Sequence, residues 1–133
     1  MRGRRLKIVS VVTTTLYIIL ITLLSLVQFS DEIEPPQIEY FDKFVHFCFY
    51  LGLNSLLLYT LLLFKRRLSL SVLVLSTLLS ILYSIAIELL QPLMGRTCDV
   101  ADVVANSVGA VMGAIVVFVL WSKRFLRWAV DGE

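Results

Sequence analysis

Residues 68–90 read LSLSVLVLSTLLSILYSIAIELL, and across this stretch only Glu88 carries a charge. The hydrocarbon core of a bilayer is about 30 Å thick and a helix rises about 1.5 Å per residue, so one crossing takes about 20 apolar residues. Three further stretches meet the same requirement: Ile8 to Phe29, Phe44 to Phe64 and Val100 to Trp121. Lipid offers the backbone no hydrogen bonds, so segments of this length must satisfy their own N–H and C=O groups as helices. The expected fold is all-α, an integral membrane four-helix bundle forming a single domain over residues 1–133.

Composition removes the alternatives. With 59% hydrophobic residues, 17% charged residues and a mean hydropathy of +0.89, the chain is too apolar for a water-soluble globule or a disordered segment. Two cysteines cannot build a disulfide framework, and a net charge of +2 gives no footing for nucleic acid. The first apolar run exceeds the 7–15 residues usual for a signal peptide. It also ends in Leu26-Val27-Gln28-Phe29, without a small-x-small cleavage pattern, so it is read as a retained span. Motifs of nucleophilic hydrolases, P-loops and dinucleotide sites are absent, and neither a cofactor nor a metal set is expected.

Lysine and arginine stay on the cytoplasmic side of membrane spans. Here they fall at Arg2, Arg4, Arg5 and Lys7, at Lys65, Arg66 and Arg67, and at Lys123, Arg124 and Arg127. Four spans bring these three regions to one side, which puts both termini in the cytoplasm. Outside the C-terminal tail, the acidic residues gather toward the opposite side: Asp31, Glu32, Glu34, Glu39, Asp42, Glu88, Asp99 and Asp102. Aromatic residues flank the boundaries, with Tyr40, Phe41, Phe44, Phe47, Phe49 and Tyr50 outside and Trp121 and Trp128 inside. Pro35-Pro36 should hold the connection between the first two spans extended.

An ionisable side chain at mid-bilayer depth costs about 2.5–3.5 kcal/mol on insertion scales, so each one inside a span needs a reason. Asp42 and His46 are four apart; Glu88 and Gln91 are three apart, with Ser84 one turn deeper; Asp99, Asp102, Asn106, Gly109 and Gly113 share one helical stripe. Three helix ends are therefore expected to converge just beneath the outer surface, with Lys43 and Arg96 as counter-charges and Arg96 suited to bidentate pairing with a carboxylate or a phosphate. Gly109-x-x-x-Gly113 should admit a neighbouring helix backbone or a packing partner, and Asn54 should hydrogen-bond between helices. Cys48 and Cys98 are expected as small buried side chains, with a disulfide as the alternative in an oxidising compartment. His46 and Cys48 point to different helix faces, which argues against a shared zinc site.

Asp42-Lys43-x-x-His46-Phe47, Glu88-x-x-Gln91 and Gly95-Arg96-x-x-Asp99-x-x-Asp102-x-x-x-Asn106-x-x-Gly109, in this order, resemble the signature of VanZ-like membrane proteins across about residues 42–117. The resemblance implies a multi-pass protein of the bacterial inner membrane, connected with glycopeptide tolerance of the teicoplanin type and without an established molecular activity. It marks Asp42, Lys43, His46, Glu88, Gln91, Arg96, Asp99, Asp102 and Asn106 as ligand-binding positions. The expected partner, besides the bilayer, is a lipid-linked or phosphorylated envelope component. If there is turnover, His46, Glu88 and Asp102 are the candidate acid–base groups. The competing reading is a structural or accessory subunit whose polar cluster fixes helix packing alone.

The charge asymmetry makes a direct prediction. A fluorescent protein fused after Glu133 should fold and fluoresce, whereas alkaline phosphatase at the same position should stay inactive; an active phosphatase fusion would reverse the orientation.

Overall fold

The computed structural model describes residues 2–27, 41–123 and 125–126. Four helices follow in order: α1 (Arg2–Leu26), α2 (Phe41–Lys65), α3 (Leu70–Leu90) and α4 (Val100–Ser122), with a one-turn 3-10 helix at Gln91–Met94 between the last two. All four are long and apolar enough to cross a membrane, and no strand occurs among the described residues. The prolines at 35 and 36, together with Tyr40 and Trp128, lie outside the described residues.

The helix ends follow local chemistry. α1 begins at Arg2 rather than Ile8, since arginine and lysine extend a helix readily beyond its apolar part. Ser69 sits in extended geometry before α3 and its hydroxyl accepts from the Val72 N–H at 3.3 Å, satisfying one of the helix's orphan donors. At the far end of α3, Pro92 lacks an N–H and the chain tightens into the 3-10 turn. Gly95, at φ 80°, then reverses it and donates to the carbonyls of Gln91 and Pro92.

Contacts between helices fix their directions. Residues near the start of α1 meet the end of α2, where Ser10 and Thr14 hydrogen-bond the Thr60 hydroxyl at 2.5 and 2.9 Å. The Tyr17 hydroxyl donates to the Phe49 carbonyl at 3.1 Å, and Thr22 pairs with Tyr83. α2 runs antiparallel to α1 and α3 and parallel to α4, with which it makes the most extensive contact in the protein. The basic residues Arg4, Arg5, Lys7, Lys65, Arg66, Arg67 and Lys123 consequently share one end of the bundle, and Asp42, Glu88, Asp99 and Asp102 share the other.

The α2–α4 contact is built on glycine. A Cβ added at Gly109 would fall on the Phe47 carbonyl oxygen, well inside contact distance, and one at Gly113 would lie 2.6 Å from the Leu51 carbonyl oxygen. Only hydrogen at these positions lets the two backbones touch, as the glycine spacing predicts.

Side-chain distribution is inverted relative to a water-soluble protein. Leu16, Leu23, Leu78, Leu82, Val104 and Phe118 face outward, whereas polar residues outnumber apolar ones among the described buried positions. Lipid accepts the outer surface, and the inner polar groups pair with one another. Apolar packing is confined to two buried groups: Leu58, Leu62, Leu63 and Val117 toward the basic end, and Ile21, Tyr50, Leu53 and Ala110 nearer the middle. Tyr50 is thus a core residue rather than an interfacial anchor, while Phe41 and Phe44 are exposed at the acidic end.

Replacing Gly109 or Gly113 with alanine should lower stability by about 1–3 kcal/mol through overpacking. Unfolding in detergent micelles reads the effect, with Val108→Ala, at an exposed position, as the control. Equal melting of all three variants would remove backbone contact as the source of α2–α4 association.

Candidate functional site

At the acidic end, three helices contribute to one cluster. Asp99 is the N-cap of α4, its carboxylate accepting from the Ala101 N–H at 2.8 Å, and Asp102 lies in the first turn of the same helix. Asp42 occupies the first turn of α2. Carboxylates in these places face the positive end of a helix dipole, a favourable location for negative charge.

The Lys43 ammonium links α2 to α4, with Nζ 2.5 Å from Asp99 Oδ2 and 2.7 Å from Asp102 Oδ1. The first is a hydrogen bond; the second is an ion pair off the hydrogen-bond direction. Asp42 Oδ2 lies 3.8 Å away from the same nitrogen. Asp102 is almost wholly enclosed, and Asp42 and Asp99 are open to the surroundings.

His46, one turn deeper on α2, is buried and faces the other members rather than the lipid. Its Nδ1 is 3.2 Å from Asn106 Oδ1, and the Asn106 amide donates from Nδ2 to Ser84 Oγ at 2.8 Å. Because the amide nitrogen is committed to Ser84, the network assigns Oδ1 as acceptor and His46 Nδ1–H as donor. Glu88, fully buried on α3, places Oε1 4.0 Å from His46 Nδ1 and accepts from Gln91 Nε2 at 3.3 Å. Its second oxygen accepts from the Asp99 N–H at 3.5 Å, at the limit of a hydrogen bond. Gln91 is buried as well, and its Oε1 has no partner among the described residues.

Of the nine positions singled out in the sequence, eight come together here: Asp42, Lys43, His46, Glu88, Gln91, Asp99, Asp102 and Asn106. Arg96 is directed elsewhere. Its guanidinium donates to the carbonyls of Ser25 at 2.8 Å and Leu24 at 3.4 Å, closing the end of α1. The guanidinium thus caps the α1 backbone, with its charge still acting on Glu88, and makes no bidentate pair with a carboxylate among the described residues. Cys48 and Cys98 are free and exposed, contrary to their expected burial: Cys48 lies off the stripe of α2 that faces neighbouring helices, and Cys98 lies in the connection before α4.

One functional-looking feature escapes motif reading. Ser76, Ser80 and Ser84 recur every four residues along α3, in register with Glu88, and all are buried. With Asn54 they extend the polar cluster into the bundle: Asn54 Nδ2 donates to the Ala110 carbonyl at 2.6 Å and Thr77 Oγ1 at 3.0 Å, and Ser80 donates to Asn54 Oδ1 at 3.4 Å. The signal was available as a serine repeat at helical spacing inside an otherwise aliphatic span.

Fold and site together define a multi-pass membrane protein with buried ionisable groups gathered at one end of a four-helix bundle. The chain matches the VanZ/LLP1 family over residues 4–121, nearly its full length, and belongs to that family. Neither the curated proteins nor the solved structures contain a match.

The Lys43 ammonium, joined by the Ala101 N–H, holds the Asp99 carboxyl below its ordinary value of 3.8. A depressed folded-state value means that the stabilisation is complete above 3.8 and is lost as pH falls through the lower folded-state value. Melting temperature measured against pH in detergent should therefore drop in that acid window, and Asp99→Asn should flatten this part of the curve. An identical acid limb in the variant would separate Asp99 from the stability of the protein.

Proposed function

We propose that this protein works in the cytoplasmic membrane with its acidic end outward, where the cluster forms a polar pocket for the headgroup of a lipid-linked or phosphorylated envelope component. In this reading the protein alters how that component is presented at the surface and contributes to tolerance of teicoplanin-type glycopeptides. The observation that carries the proposal is the burial of His46, Glu88 and Asp102, from three separate helices, at one end of the bundle. Helix packing is already provided by the glycine contact and the serine–asparagine seam, so it does not require this concentration of ionisable groups.

The anion-holding role first expected for Lys43 and Arg96 needs revision, because Lys43 is held by two carboxylates and Arg96 by the carbonyls of α1. Recognition by Asp42, His46 and Asp102 then falls on hydroxyl and amine donors of the headgroup, with Lys43 and Asn106 holding the three side chains in place. Asp42 is the accessible member, its side chain 58% exposed.

A structural or accessory role is the second reading, favoured by the pairing of Lys43, Asn106 and Gln91 within the cluster. The two differ in what Asp42→Asn does. On the headgroup reading, cells carrying Asp42→Asn lose glycopeptide tolerance to the level of cells lacking the protein, while its abundance and melting temperature stay unchanged. Retained tolerance with normal abundance would leave the structural role.

A further inference from the structure

The arrangement around His46 Nε2 is unexplained by hydrogen bonding. With Nδ1–H donated to Asn106, Nε2 faces Asp42 Oδ1 at 3.8 Å and Asp102 Oδ2 at 3.7 Å. These separations are too long for hydrogen bonds. A ring nitrogen turned toward two carboxylate oxygens, in a side chain only 5% exposed, calls for positive charge between them, and either a second ring proton or a bound cation supplies it.

We infer that Asp42 Oδ1, His46 Nε2 and Asp102 Oδ2 bind a divalent transition cation of the zinc or manganese kind. One ligand atom from each of the three residues lies within 4.8 Å of the other two. Ligand atoms about 2.1 Å from a tetrahedral ion stand about 3.4 Å apart, so the two edges meeting at His46 are within a few tenths of an ångström of coordination distance. The remaining edge, between the two carboxylates, closes by rotation of the exposed Asp42 side chain. One imidazole with two carboxylates suits zinc or manganese, whereas calcium and magnesium favour oxygen donors alone.

The surrounding groups have the form of an outer ligand shell. Asn106 fixes the imidazole through the nitrogen that does not face the carboxylates, as metal-bound histidines require. Lys43 takes one oxygen from each carboxylate, Asp42 Oδ2 and Asp102 Oδ1, and leaves the other oxygen of each directed at His46. Lys43 therefore orients both acids without occupying the ligand face. Asp42, Asp99 and Asp102 face the single ammonium of Lys43, and a divalent ion offsets the surplus of negative charge. Three protein ligands also leave a coordination position open on the exposed Asp42 side, where a phosphate oxygen can bind. This deepens the headgroup reading and rests on it for the phosphate, but the cation site stands on its own geometry.

The test uses tag-free protein in detergent, in a Cys48→Ser, Cys98→Ser background that removes competing thiols. After zinc or manganese loading and chelating-resin treatment, elemental analysis should find one ion per chain, and zinc should raise the melting temperature. Asp42→Asn and His46→Gln should each weaken zinc affinity at least tenfold, and Asn106→Leu about 10–100-fold as an outer-shell residue. Asp42→Asn keeps the test valid should His46→Gln fail to fold, since Asp42 is exposed. Absence of a retained ion in the folded background protein, or equal retention by Asp42→Asn, overturns the site. Zinc binding lost in Asp42→Asn while glycopeptide tolerance is kept supports the cation site and overturns the headgroup reading instead.

Discussion

Everything at the acidic end depends on how closely α4 lies against α2. Gly109 and Gly113 place the α4 backbone directly on the carbonyls of Phe47 and Leu51, and no side chain intervenes. Because the two helices run parallel, this contact also fixes their relative height. Lys43 is thereby level with Asp99 and Asp102, and His46 with Asn106. Had these positions carried larger residues, the helices would separate by the width of a side chain, and the Lys43 ammonium could not reach both carboxylates of α4. Helix association is thus a precondition of the site rather than its result.

The second constraint is the solvent. In water the outward-facing leucines and valines would be driven inward and the serines, threonines and asparagines outward, because burial of apolar surface dominates. A hydrocarbon surround cancels that drive, leaving close packing and polar pairing to select the helix faces. The inward stripe of α3 illustrates the result: Ser76, Ser80, Ser84 and Glu88 are buried while Leu78, Leu82 and Leu89 are exposed. The basic and acidic ends then act as stops that hold the bundle across the bilayer. The apolar packing around Leu58, Leu62 and Val117 lies toward the basic end, away from the ionisable cluster.

The fold was legible because spans announce themselves by length and hydropathy, and the four expected segments correspond to the four helices apart from their ends. Much of the site was legible for a related reason: ionisable residues are so costly inside spans that Asp42, His46, Glu88 and Asp102 stand out against their neighbours. Helical spacing also identified the inward face of α4, where Asp102, Asn106, Gly109 and Gly113 are all buried. What spacing cannot supply is the pairing between helices. Arg96 lies within the most specific motif, yet its direction depends on the φ of Gly95 and on the position of the α1 carbonyls. Likewise, the meeting of Asp102 with Asp42 and His46 is a property of the α2–α4 contact, invisible along either helix alone. The exposure of Cys48 follows the same logic, since apolarity does not distinguish a lipid-facing position from a buried one.

The members of the cluster differ in how completely their bonding capacity is used. Asn106 gives its oxygen to His46 and its nitrogen to Ser84, and Lys43 divides its charge among the acids of two helices. These residues are internally satisfied, and their role is to hold others. Asp42 and the Nε2 edge of His46 are different: one is exposed, and the other faces acceptors beyond hydrogen-bond range. A purely architectural cluster gains nothing from such a gap, because tighter pairing would stabilise the bundle further at no cost elsewhere. On the proposed reading, these two unsatisfied edges, with ordered partners behind them, are where an interaction with something outside the chain would be made.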